Sequence, residues 1–169
     1  MKLTEFLLTE LDREVERSRW ALEQVPEGKY DWKPHEKSMN FGYLAELVAT
    51  MPSWVTMAIT QDSLDLNPPG GSTYERPSLR TSSELVAGHD KAVADAHAAL
   101  AKATDDGLLE PWRLLVAGKV VMETPRHVMI RDTLTHLAHH RGQMTVYLRL
   151  LGATVPALYG PSADDKRFA

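Results

Sequence analysis

The sequence predicts an all-α fold, a four-helix bundle carrying a small β-hairpin inserted between its third and fourth helices. Four stretches of roughly twenty residues place apolar side chains at three- and four-residue intervals. One segment around Gly118 changes to a period near two, and the connections collect proline, glycine and serine. Amphipathic helices of this length bury their stripes only by facing one another, so a bundle is the economical arrangement.

The first helix is expected from Leu3 to Val25, with Phe6, Leu7, Leu11, Val15 and Leu22 on its stripe. "PEGKYDWKPHEKSM" breaks the pattern. The second helix follows from Asn40 to Thr60, with a kink at Pro52, which deletes one backbone hydrogen bond. "LNPPGGSTYERPS" is a loop by composition. Thr81 and Glu84 in "TSSE" fit a capping box that starts a third helix running to Ala103. The hairpin is expected between Asp105 and Thr124. "TPRHVMIRDTLTHLAHHRGQMTVYLRLLG" reads as the fourth and longest helix, with Thr124 as N-cap, Pro125 at the first helical position and Gly152 as the stop. The tail after it is extended and lies over the bundle.

Composition narrows the function. A chain of 169 residues, 43% hydrophobic and 25% charged, suits a single domain spanning residues 1–169. The formal charge of −4, with an isoelectric point near 6.0, gives no basic footprint, so nucleic acid is not an expected partner. Cysteine is absent, which removes disulfides, thiolate ligands and a cysteine nucleophile. Nowhere do eighteen apolar residues run together and no secretion signal is visible, so a cytoplasmic protein without a membrane span is expected.

The chemistry-bearing stretch is "THLAHHRGQM". On a helix His136 and His140 lie about 40° apart on one edge of the apolar stripe, whereas His139 turns away toward a minor strip of Val128, Val146 and Leu150. Two such imidazoles can converge on one divalent cation, but a metal centre needs a third protein ligand from another element. Spacing alone leaves two readings open, a metal site and a hydrogen-bonded polar seam.

"HLAHHRGQMTVYLRLLG" resembles the H-x-x-x-H-R-G-Q segment of the DinB/YfiT-like family of metal-dependent enzymes. "YDWKPHEKSMNFGYLAELVATMPSW", "METPR" and "YGPSADD" are also similar to stretches of its members, and the resemblance covers nearly the whole chain. It implies a bundle of unusual handedness, often a homodimer, with nickel, zinc or iron held by three histidines. Two of these fall on His136 and His140. The implied chemistry is that of thiol-dependent transferases, isomerases and hydrolases acting on small molecules, with a low-molecular-weight thiol as a possible co-substrate.

The sequence departs from the family at the third ligand, where Leu47 stands in place of a histidine in "LAELVATMPSW". The resemblance thus implies a DinB-like enzyme with an incomplete metal site, the alternative being a non-catalytic small-molecule-binding or dimerisation bundle that has lost its metal. Acid/base catalysis by the histidine pair alone is a third reading. Glu46 and His35 are the nearest substitutes for the missing ligand, but a solvated helix carboxylate and a turn-surface histidine are the expected states. His89, His97 and His127 are expected to face solvent.

Gln143 shares the face of His136 and His140 and is suited to hydrogen-bond a ring. Arg141 lies on the other flank, where burial requires a carboxylate from the first helix or the tail. Tyr147, one turn beyond Gln143, is a candidate to place its hydroxyl near the site, and Trp54 and Trp32 are candidates to line its mouth.

Overall fold

The structure, a computed structural model, describes residues 2–71 and 77–167. Residues 72–76 of the expected loop after the second helix lie outside the described residues. The described chain is mostly helical: α1 (Leu3–Leu22), α2 (Phe41–Thr50), α3 (Ser53–Thr60), α4 (Ser82–Lys102), α5 (Asp105–Leu109) and α6 (Arg126–Leu150), with a small sheet of β1 (Ser63–Asp65), β2 (Pro111–Val116) and β3 (Lys119–Pro125). Helices α1, α2, α3, α4 and α6 pack on one another.

The expected second helix is two helices. Pro52 has no N–H to give to the carbonyl one turn back, and the ladder resumes with three-residue bonds, from Trp54 N to Met51 O (2.9 Å) and from Val55 N to Pro52 O (3.1 Å). Met51 and Pro52 keep right-handed helical torsions, so the chain continues in the same sense while its hydrogen bonding is interrupted. The break also divides the core. Phe41, Leu44, Val48 and Met51 pack with Leu22, Leu85, Leu137, Met144 and Leu148. Val55 and Ala58 instead join Leu7, Leu11, Val15, Ala96, Leu100, Ile130 and Leu134.

Other boundaries move for local reasons. Helix α1 ends at Leu22, and Gln24 and Val25 close tight three-residue turns before Pro26. The capping box at α4 forms as expected, with Glu84 N donating to Thr81 Oγ1 (3.1 Å) and Thr81 N to Glu84 Oε2 (3.0 Å). Residues 105–109 form a helical turn capped by Thr104 instead of starting a strand. Thr124 does not cap α6: it is still in β3, opposite Trp112, and Pro125 takes the cap position.

The sheet has the order β1-β2-β3, with β2 antiparallel to β3 and parallel to β1. Strand β1 was not expected. It is only three residues long, too short to show an alternation in the sequence. Between β2 and β3 the chain reverses at Ala117 and Gly118, both at positive φ, and Asp65 accepts from both of their N–H groups.

Arg141 of α6 is wholly buried. Its guanidinium donates to Glu14 O (2.7 Å), Ser18 Oγ (3.0 Å) and Glu14 Oε2 (2.5 Å), and also to the hydroxyl of Tyr159. Tyr159 in turn donates to Glu14 Oε2 (2.6 Å), and Arg17 lies over its ring while donating to Leu158 O. The expected carboxylate therefore comes from α1, and the tail is tied down over it. Burial pushes the Glu14 carboxyl up, but hydrogen bonds from Tyr159 and Arg141 outweigh it and hold the pKa below its ordinary value.

Two substitutions probe this frame. A Cβ on Gly42 would run into the Tyr30 ring, which is itself covered by the Arg80 guanidinium. Gly42→Ala is expected to cost about 1–3 kcal/mol in urea unfolding, the range for overpacking. Arg141→Met leaves Glu14 only Arg17 and Tyr159 and removes the donor to Ser18, and is expected to cost about 1–3 kcal/mol. Adding Glu14→Gln should recover part of that loss, and a second substitution that only deepened it would refute the pairing as the cause.

Candidate functional site

The site is built on the middle of α6. The apolar residues Ile130, Leu134, Leu137, Met144 and Leu148 are buried and fix the rotation of the helix. That rotation leaves His140 buried at 7% exposure and His136, one turn earlier, at the exposed edge. His140 Nε2 and His136 Nε2 are 2.8 Å apart, and His140 Nδ1 is 2.8 Å from Gln143 Oε1.

With both rings neutral, these contacts fix the direction of the hydrogen bonds. The Gln143 oxygen can only accept, so Nδ1 of His140 carries a hydrogen. A neutral His140 then has a lone pair at Nε2, and His136 must donate its Nε2–H to it. The result is a directed chain from His136 through His140 to Gln143, both rings uncharged. Burial is the first cause holding both histidines below the ordinary value of 6.5. For His136 the neighbouring rings of His140 and His139 add to it. For His140 the bond to Gln143 opposes it and His139 reinforces it.

Trp54 at the start of α3 closes one side, its ring centroid 5.5 Å from that of His136 in an edge-on contact. His139 is exposed but does not turn away from the pair, since its ring lies 5.1 Å from His140. Tyr147 does not serve the pair. Its hydroxyl donates to Met39 O (3.3 Å), and its ring packs against Trp32 and Phe41.

The ligand question turns on α2. Leu47 is half-buried and packs against the apolar cluster that contains Leu137 and Met144. Glu46, expected in solvent, is buried at 1% exposure, and its Oε1 accepts from Leu79 N at 2.7 Å. It fastens the segment before α4 to α2. The sequence carried a signal for this, because Glu46 is the lone charge in the apolar run "FGYLAELVAT". His35 sits on an exposed turn, its Nδ1 accepting from Lys37 N (3.2 Å).

Among the described residues no three His, Cys, Asp or Glu side chains are placed to share an ion. A divalent cation between the two Nε2 atoms would stand about 2.0–2.1 Å from each and hold them about 3.3 Å apart. Accepting one requires the rings to separate and His136 to move its Nε2 proton. Among the described residues the pair offers two ring nitrogens, one short of the three protein ligands such a centre needs.

The remaining histidines differ. His97 is a surface partner of Asp12 (2.8 Å). His127, half-buried, has Nδ1 3.0 Å from Leu108 O. His89 was expected to face solvent but is buried at 1% exposure. Its place on the stripe Leu85, His89, Ala92, Ala96 was legible, being separated from its neighbours by four and three residues. Two concavities lie away from the pair, one lined by Thr104, Leu108 and Arg126 and one by Lys2, Thr4 and Asp105.

Comparison with known proteins agrees with this architecture. The solved structure of a DinB-like protein from Bacillus cereus ATCC 10987 superposes with a TM-score of 0.70 at 23% identity, covering 92% of this chain and 97% of that one. A DinB-like protein of Bacillus subtilis, YjoA, gives a TM-score of 0.67 at 18% identity over 95% and 99% of the two chains. At these identities the likeness is one of fold. The uncharacterized protein YrdA of Bacillus subtilis (strain 168) is 32% identical over 99 residues, and the match spans 55% of this chain and 56% of that relative's length. The family model described as DinB family matches residues 2–167, and the chain belongs to the DinB family.

Proposed function

We propose that this DinB-family protein handles small molecules at a histidine centre that works as a neutral, proton-carrying pair in place of a complete metal site. The observation that carries the reading is the 2.8 Å bond between the two Nε2 atoms. It is supported by Leu47 standing where the family resemblance expects the third histidine. With its Nε2–H directed at His140, His136 presents the Nδ1 lone pair as a base. A thiol or hydroxyl giving its proton there becomes a nucleophile for a small electrophile. The new imidazolium is stabilised by its bond to His140, which Gln143 holds in the accepting orientation.

In the complete form of such a centre a nickel, zinc or iron ion would lower the pKa of a bound water or thiol. Here His136 and His140 are the side chains on offer, so weak binding is expected. In the same reading α2 and α3 form one interrupted member of a four-helix bundle with an inserted β-hairpin, assembled as a cytoplasmic homodimer. The second reading, a non-catalytic small-molecule-binding or dimerisation domain, is favoured by Leu47 itself.

Metal analysis of protein purified without a histidine tag tests the central point. Content well below one ion per chain is expected, and near-stoichiometric metal that disappears in His140→Ala would overturn the reading. Loss of a supporting residue alone changes metal affinity roughly 10–100-fold. Leu47→His, which adds a direct donor, is expected to tighten divalent binding by at least that much. If it gains nothing, Leu47 is not what keeps the site incomplete.

Stability should report the neutral pair. His136 and His140 are held below 6.5 in the folded chain, so from pH 6.5 downward the unfolded chain binds more protons. Stability is present above that pH and is lost as pH falls through the lowered folded values. The paired carboxylate Glu14 acts in a lower window, below its unfolded value of 4.5. Urea unfolding between pH 7.5 and 5 is expected to show falling stability, with a shallower slope in His136→Gln/His140→Gln. An equal slope in both proteins would exclude the pair as its source.

A further inference from the structure

The buried imidazole of His89 lies between two backbone carbonyls on two different helices. Its Nε2 is 3.0 Å from Val15 O of α1, and its Nδ1 is 3.2 Å from Ala49 O of α2. Both oxygens can only accept, whereas a neutral imidazole has one N–H. The shorter contact takes that hydrogen, which leaves the Nδ1 lone pair facing the Ala49 oxygen. A second ring proton turns this opposed contact into a hydrogen bond.

Ala49 stands two residues before Met51, where the α2 ladder is interrupted, and Trp54 N donates to Met51 O across the break. The Trp54 ring rests on His136. We propose that His89 is a proton-operated latch on the α2–α3 joint: neutral, it holds α1 alone, and with both ring nitrogens protonated it grips α1 and α2 together and resets the position of Trp54 against the histidine pair.

The charged groups around it are few. On its own helix Asp90 favours the proton, and on α1 Arg19, which is bonded to Asp90, opposes it. Also on α1, Glu14 is engaged by Arg141, Arg17 and Tyr159, and Asp12 by His97. On α2, Glu46 accepts from Leu79 N, and α3 carries no charged residue. Burial lowers the pKa of His89 below 6.5 and the two carbonyls pull it back up, so the transition lies on the acidic side of neutrality.

Nitrogen-15 NMR of the histidine rings from pH 8 to 5 tests the latch, together with the backbone amides of Ser53, Trp54 and Val55. The His136→Gln variant is measured beside the natural protein, so that titration of the ring touching Trp54 is removed. The expected result is a His89 ring protonated only at Nε2 at pH 8, which gains a slowly exchanging Nδ1–H as pH falls. The three amides should shift with the same midpoint in both proteins. The proposal is overturned if His89 keeps a single proton down to unfolding, if Nδ1 rather than Nε2 carries it at pH 8, or if the amides do not move with His89.

Discussion

A guanidinium taken wholly out of water has to find oxygen partners inside the protein, and the two terminal nitrogens of Arg141 set that condition for the whole molecule. Its partners are a carboxylate and a carbonyl of Glu14, the hydroxyl of Ser18 and the phenol of Tyr159. They come from α1 and the tail, and they can all be reached only in one register of α1 against α6. Hydrocarbon packing between two amphipathic helices tolerates sliding by a turn far better than a buried charge does. The same register puts the Leu137 and Met144 face inward and leaves His140 at its edge, one residue before the arginine. The position of the candidate site is therefore set by an interaction that takes no part in its chemistry.

At that site the polar groups satisfy each other. A lone imidazole at a bundle edge would leave a nitrogen short of a partner, whereas the sequence of His136, His140 and Gln143 uses one donor and one acceptor at each link. Such a chain is polarised in one direction and ends at the exposed ring. This is the property a base needs, an accepting nitrogen at the surface and a fixed dipole behind it. Trp54 shields one flank of the exposed ring, and its position depends on the interrupted ladder between α2 and α3.

The long helices were legible because their stripes are dictated by a period, and the α4 start because Thr81 and Glu84 form a reciprocal pair visible in four residues. The residues of the pair and their common edge were legible for the same reason, as was the need of Arg141 for a carboxylate. Missed features depend on partners distant in sequence. Strand β1 exists only because β2 offers it an edge. Thr124 looked like a cap until strand pairing with Trp112 claimed it. Glu46 and His89 were read as wet by residue type, although each sits in an apolar pattern that pointed inward. Which backbone groups they satisfy, Leu79 N in one case and the carbonyls of Val15 and Ala49 in the other, has no trace in the local sequence.

The interruption at Pro52 also bears on the order in which the chain gains structure. Helices α2 and α3 have ten and eight residues, below the roughly 12–15 at which an isolated helix begins to hold in water. Neither can form ahead of its surroundings, and each is stabilised by a different apolar cluster. Helices α1, α4 and α6, at 20, 21 and 25 residues, have no such handicap. The segment that carries Leu47 and Trp54 thus owes its helical form to the apolar clusters it packs against. One wall of the histidine site is therefore made from a segment that packing, rather than its own length, holds helical.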